Sequence, residues 1–249
     1  MKQNYITDSL VSLNKSQKPL YRLFCFPHAG GGCSTYSSWT EYCGEDIEII
    51  VVQLPGRENR INEVPLDNLD IITELITHDI SQFSDKPFAF FGHSLGSILS
   101  YEVCKTLLNN KKPYPTHLFL SSCRAPHIPN LDENKIYLLD DEQFTYRLKE
   151  LNGTPNEILD IPEIRSLFFP MLRADFKIAE TYYREINNML PIPITCFMGQ
   201  NDTVELDDLL EWEKHTNKSF SQHTFHGNHF YLKNNVDNIV KIIKAKLFN

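Results

Sequence analysis

"FAFFGHSLGSILSYEVCKTLL", residues 88–108, decides the fold. Residues 88–91 form an apolar run, and Gly92-His93-Ser94-Leu95-Gly96 interrupts it. Leu95, Ile98, Leu99, Val103 and Leu107 then recur at helical spacing. A strand that turns sharply into a helix lifts the side chain at the turn above the sheet edge. It also strains the backbone there, so the residues two positions to either side must be small. Gly92 and Gly96 meet that need around Ser94. The amides and positive dipole end of the helix then aim at any anion formed beside the serine. In this setting G-x-S-x-G reads as a nucleophile and not as a turn serine.

Outward from this stretch, short β-branched and aromatic runs alternate with helix-period segments. Residues 21–26, 47–54, 87–91, 117–122, 193–198 and 219–225 read as strands, the first five nearly continuous in apolar residues, as strands covered on both faces are. Leu69, Ile72, Leu75, Ile76 and Ile80 mark one helix, and Val236, Ile239, Val240, Ile243 and Leu247 another. The alternation predicts an α/β fold, a mostly parallel sheet with helices on both sides, in a single domain over 1–249. From 124 to 190 no strand is expected, while "LDDEQFTYRLKEL" and "MLRADFKIAETYY" read as helices, the second with Leu172, Phe176, Ala179 and Tyr183 on one face. A helical insertion forming a lid over the site is the expectation, an ordinary run of packing helices the alternative.

Of the 249 residues, 41% are hydrophobic and 22% charged, enough for a full core. A formal charge of −8 argues against nonspecific nucleic-acid binding and against an anionic membrane surface. The polar N-terminal stretch carries no apolar block for secretion or membrane insertion. The six scattered cysteines, with no C-x-x-C, read as reduced thiols of a cytoplasmic protein.

A serine hydroxyl needs a base, and the base an orienting acid. In a fold of this kind the chain order is serine, acid, histidine, the acid after a late strand and the histidine after the last. Asp202, past the strand ending near Met198 in a 199–201 turn, and His229 in "TFHGNHFYL" satisfy that order. Asp175 also falls between Ser94 and His229 in sequence but sits mid-helix in the insertion, and Asp207 and Asp208 read as the first turn of a helix. His223 and His226 share a three-residue spacing with His229, yet no cysteine or carboxylate nearby completes a ligand set, and no metal is expected. His78, His117, His127 and His215 read as surface or packing residues. The oxyanion needs two donors: the amide of Leu95, and one from "FCFPHAGGGCSTY", where Ala29 is the candidate. The same glycines lack the spacing of a phosphate-binding loop.

The segments "LFCFPHAGGG", "VVQLPGRENR", "FAFFGHSLGS", "LFLSSCRAP", "PMLRADFKIAETY", "PIPITCFMGQNDTV" and "GNHFYL" run in order over about residues 21–235. Together they resemble the type II (external) thioesterases that accompany nonribosomal peptide and polyketide synthetases. The resemblance implies an α/β-hydrolase fold with a helical lid. It implies hydrolysis of acyl or aminoacyl thioesters on the phosphopantetheine arm of acyl or peptidyl carrier protein domains, clearing misloaded ones. No cofactor of the enzyme's own is implied, since the substrate brings the phosphopantetheine. Family roles carried onto matching positions make Ser94 the nucleophile, His229 the base, Asp202 the acid, and Leu95 and Ala29 the oxyanion donors. Where the family has a second glycine before the histidine, this chain has Asn228, a residue that tolerates left-handed backbone. Arg57 also matches, with a structural ion pair and a contact to phosphate or carrier both open. Nothing demands more than a monomer. A fatty-acyl-releasing thioesterase, a small-molecule carboxylesterase and a non-catalytic carrier-binding scaffold are the alternatives.

Overall fold

Phe24, Phe26, Phe88 and Phe90 bury themselves on one face of a sheet, while Leu23, Cys25, Ala89 and Phe91, their sequence neighbours, bury themselves on the other. This is the period-2 alternation of strands covered on both sides. The structure is a computed structural model and describes residues 4–248 except 15, 17, 133 and 154–158. Among these, the strands are β1 (Asn4–Tyr5), β2 (Leu10–Ser12), β3 (Tyr21–Phe26), β4 (Ile47–Val52), β5 (Phe88–His93), β6 (Leu118–Ser121), β7 (Ile194–Asn201) and β8 (Phe220–Asn228). They form one sheet in the order β1-β2-β4-β3-β5-β6-β7-β8. The six strands read from the sequence are β3 to β8, paired in parallel throughout. The antiparallel edge pair β1–β2 comes from the polar N-terminal stretch, where no strand was expected. Two- and three-residue strands are too short to show a period, yet Leu10 and Val11 are wholly buried.

The helices are α1 (Thr40–Cys43), α2 (Leu69–Ser81), α3 (Leu95–Asn109), α4 (Asp141–Leu151), α5 (Pro162–Thr181), α6 (Leu206–Leu210) and α7 (Leu232–Leu247). Helices α2 and α3 cover one face with Ile72, Ile76, Val103 and Leu107. On the other face, α7 packs Ile239 and Ile243 beside Trp39 and Phe91. The buried stripe of α2 runs through Ile72, Thr73, Ile76, Thr77 and Ile80. Leu75, expected on that stripe, lies at the exposed rim because the helix is turned toward its threonines.

Between β6 and β7 the chain leaves the sheet and builds α4 and α5, which share an apolar cluster around Phe144, Leu148, Phe169 and Leu172. Helix α5 ends at Thr181, so Tyr183 is exposed instead of lining its inner face. Tyr182 turns inward in its place and donates to Glu102 at 2.6 Å.

Candidate active site

Ser94 joins β5 to α3 at φ 54°, ψ −118°, a backbone conformation that L-residues rarely hold. A Cβ added at Gly96 would lie 1.9 Å from the carbonyl oxygen of Phe26, and one at Gly92 would lie 2.3 Å from that of Gly96. No side chain fits at either position without parting helix from strand. The elbow is held from the next strand as well, where the Ser94 amide donates to the Ser121 carbonyl at 2.8 Å.

His229 follows β8, and Asp202 follows β7, which runs three residues past Met198 through an irregularity between Gly199 and Asn201. The extended strands carry both side chains toward the same end of the sheet as Ser94. Nδ1 of His229 donates to Oδ1 of Asp202 at 2.8 Å, and the Ser122 hydroxyl donates to Oδ2 at 2.5 Å. Amides of Val204 and Gly199 approach the same carboxylate at 3.3 and 3.4 Å. Burial alone would push the Asp202 pKa up, but the hydrogen bond and charge of His229, with the Ser122 bond, more than offset it and hold the carboxyl below its ordinary range. An ionised carboxylate only accepts, so the ring hydrogen sits on Nδ1 and Nε2 is left to take a proton. Ser94 and His229 line one cavity of about 330 Å³. No hydrogen bond joins them, as is common before substrate arrives.

Four amides of the glycine loop have acceptors within the fold, while that of Gly32, which does not line the cavity holding Ser94, has none among the described residues. The amide of Gly30 goes to Asp175 (2.7 Å) and that of Gly31 to the His28 carbonyl (2.8 Å). Cys33 donates to Gln53 (2.8 Å) and Ser34 to Glu58 (3.0 Å). The Ala29 amide has no acceptor among the described residues, nor has that of Leu95, the first residue of α3. Both residues line the cavity that holds Ser94. Two unengaged amides beside the serine can together hold an oxyanion.

Around His229 stand two further imidazoles and a phenyl ring. His93 and Phe230 lie at ring centroid distances of 5.1 and 5.3 Å, and His28 packs on Phe230 at 5.2 Å. Burial first, then the nearby His229, Lys233 and Arg57, push the His28 pKa down to about 4. Burial also depresses His93, which hydrogen-bonds with Ser121, itself bonded to the Tyr231 hydroxyl. Both rings are therefore neutral at pH 7.

The competing acids lie elsewhere. Asp175 is wholly buried against Arg57, and Asp207 and Asp208 occupy the first turn of α6. His223 and His226 both belong to β8, which runs beyond the 219–225 read from the sequence; among the described residues no three His, Cys, Asp or Glu side chains are placed to hold a metal. Asn228 is not called on to adopt left-handed backbone. The positive φ falls on Gly227 (130°), while Asn228 ends β8 and accepts the Phe230 amide on its side chain at 3.0 Å.

A family model for the thioesterase domain matches residues 21–247. The chain belongs to the thioesterase family. It is 41% identical over 223 residues to the gramicidin S biosynthesis protein GrsT of Aneurinibacillus migulanus, covering 89% of this chain and 87% of that one. It is 32% identical over 247 residues to the medium-chain S-acyl fatty acid synthase thioesterase of Rattus norvegicus, covering 95% and 91%. Among solved structures, the type II thioesterase BorB from the borrelidin biosynthetic cluster superposes with a TM-score of 0.87 at 29% identity, over 97% of this chain and 99% of that one. The architecture is the α/β-hydrolase fold, and the protein is a thioester hydrolase of the type II kind that the sequence resembles.

Several residues of this thioesterase site are not singled out by the sequence. Ser122, at a positive φ of 51°, is indistinguishable in "LSSC" from its neighbour Ser121, and only their opposite orientations separate a partner of Asp202 from a partner of His93. His28 and Asp175 likewise take their places only through the fold. All six cysteines are buried free thiols, and no helix among the described residues is long and apolar enough to cross a membrane.

Proposed function

We propose that this thioesterase hydrolyses acyl and aminoacyl thioesters held on the phosphopantetheine arm of carrier protein domains, clearing arms loaded with the wrong group. The relation to GrsT and BorB supports the synthetase setting. The observation that carries the chemistry is the Asp202–His229 pair at 2.8 Å opening onto the same cavity as the strained Ser94. Ser94 Oγ attacks the thioester carbonyl as Nε2 of His229 takes its proton, and Asp202 stabilises the imidazolium. The carbonyl oxygen becomes an anion held by the amides of Ala29 and Leu95. The C–S bond breaks, the sulfur leaves with the proton from His229, and an ester joins the acyl group to Ser94. Water attacks this ester with the same histidine as base, releasing the acid and restoring the hydroxyl.

Ile98 of α3, Leu148 and Leu151 of α4, and Leu172 and Phe176 of α5 line the cavity, so the insertion acts as a lid over an apolar acyl site. A thioester is an activated acyl group, and modest contacts to it suffice, which suits an enzyme meeting many wrong substrates. The site is assembled within one chain, its thiols suit the reducing cytoplasm, and the arm arrives with the carrier, so no cofactor of the enzyme's own enters the scheme.

Ser94→Ala should lower turnover of acyl-carrier substrates by about a million-fold, with no acyl-enzyme seen by mass spectrometry of the intact protein. Unchanged hydrolysis by that variant would end this reading. The rat relative and the apolar cavity favour a second substrate class, fatty acyl chains. Parallel assays with short acyl-carrier, long acyl-carrier and nitrophenyl ester substrates separate the two, and a preference for chains of eight carbons or more would favour the second.

A further inference from the structure

Asp175 on α5 and Arg57 after β4 form a bidentate pair, Nη1–Oδ2 at 2.8 Å and Nη2–Oδ1 at 2.9 Å, with both side chains buried. Each group also reaches the glycine loop. Oδ2 of Asp175 accepts the Gly30 amide at 2.7 Å, and Nη1 of Arg57 donates to the Gly31 carbonyl at 3.3 Å. Directly above, a Cβ at Gly30, whose φ is +77°, would come 2.7 Å from Cδ2 of Leu172, one turn before Asp175 on the same helix.

We infer that Asp175 and Arg57 are positioning residues for the oxyanion hole, holding the peptide units on either side of the Gly31 amide, which bonds the carbonyl of the Ala29 amide's own peptide unit, so that the Ala29 amide points at the carbonyl attacked by Ser94. This rests on the thioester-cleaving reading given above. The Ala29 amide shares a peptide unit with the His28 carbonyl, which accepts the Gly31 amide at 2.8 Å. The next peptide unit ends in the Gly30 amide, fixed by Asp175, and Arg57 holds the carbonyl of Gly31. Turning the Ala29 amide away breaks the bond from the Gly31 amide to the His28 carbonyl, and one buried carboxylate and one buried guanidinium keep the Gly31 amide in place to make it. A buried ion pair adds little net stability over an apolar pair of the same volume. What this pair supplies under a glycine loop is direction, because a planar guanidinium forked onto a carboxylate admits one arrangement. It also ties the oxyanion loop to α5, the helix that roofs the acyl cavity.

The test compares Asp175→Asn, Arg57→Lys, Ser94→Ala and the parent enzyme, with folding followed by circular dichroism and rates expressed per folded molecule. A misaimed donor acts on the transition state alone. Asp175→Asn should therefore lower kcat by about 10- to 100-fold with KM within twofold, less than outright loss of a donor would cost. Affinity for a trifluoromethyl ketone thioether, whose adduct oxygen occupies the oxyanion hole, should fall by a similar factor. The pH at which activity is half lost on the acid side should stay in place, since neither His229 nor Asp202 is touched. Arg57→Lys keeps the buried charge paired but loses the fork, and should move kcat and analogue affinity in the same direction by less. It is the variant read if Asp175→Asn does not fold. Parent-like kcat per folded molecule, a loss confined to KM, unchanged analogue affinity or a displaced acid limb would each overturn the inference. Full activity in Ser94→Ala would instead overturn the reading on which it rests.

Discussion

Four donors converge on the carboxylate of Asp202: the His229 ring, the Ser122 hydroxyl and the amides of Val204 and Gly199. Hydrogen bonds to a buried charge are worth more than neutral ones, about 1.5–3 kcal/mol each. The Ser122 bond therefore helps keep the acid ionised and its second oxygen turned from the ring. Asp202→Asn replaces the acceptor with an amide and permits the wrong imidazole tautomer, so kcat should fall by roughly 10⁴-fold, less than for Ser94→Ala. Ser122→Ala removes one donor and leaves the Asp202–His229 hydrogen bond standing, for which a loss of about tenfold is expected. Steady-state rates on one acyl-carrier substrate measure both. A Ser122→Ala enzyme as slow as Asp202→Asn would mean that the hydroxyl does more than steady the carboxylate.

At the scale of elements, the decisive contact is between α3 and β3. With Gly96 the helix starts close enough to the sheet for the next Cβ to have no room before the Phe26 carbonyl. That closeness sets the first amide of α3, that of Leu95, at the cavity lined by Ser94, where the proposed mechanism puts the oxyanion. Gly96→Ala pushes against backbone, which cannot rotate out of the way, and should destabilise the fold by upwards of about 3 kcal/mol. A urea midpoint unchanged from the parent would show that α3 can shift without cost. The insertion is tied down in a different manner. Glu180 of α5 accepts the amides of Ile136 and Tyr137 at 2.9 and 3.2 Å, and burial, its largest influence, pushes its pKa up. Asn68 caps α2 through the amides of Asp70 and Ile71, and Asp140 caps α4 through Gln143, so helices on the body and in the insertion begin by the same device.

Over the whole molecule, several buried imidazoles give stability a pH dependence. Burial, the largest cause in each case, lowers the pKa values of His28, His117 and His215 to about 4. His117 bonds with Thr195, and His215 with the Tyr101 hydroxyl and His127. A histidine whose folded pKa lies below its unfolded value of 6.5 binds protons more readily when unfolded. Its full contribution is present above pH 6.5 and is lost as the pH falls toward 4. Asp202 adds a loss in the same direction at lower pH, as its depressed carboxyl is protonated. Urea unfolding should therefore show stability level above pH 7 and falling by several kcal/mol between pH 6.5 and 4.5. A flat profile over that interval would mean that these rings are open to water.

The sequence by itself determined the strand–helix alternation, the elbow at Ser94, the glycine loop and the order of Ser94, Asp202 and His229. Each is a local pattern, since a period, a small residue at a turn and a position after a strand are all read within a few neighbours. It missed β1 and β2, which are too short to carry a period, and it set Tyr183 on a face that α5 ends too soon to present. Only the tertiary structure decided what the passed-over carboxylate of Asp175 met. Asp202 and Asp175 both lie between serine and histidine in the chain, but β7 carries the first to His229 while α5 drops the second onto Arg57, from the loop 118 residues before it. The physical reason is range: a hydrogen bond acts over about 3 Å, and no pattern along the chain fixes which distant segments will come that close.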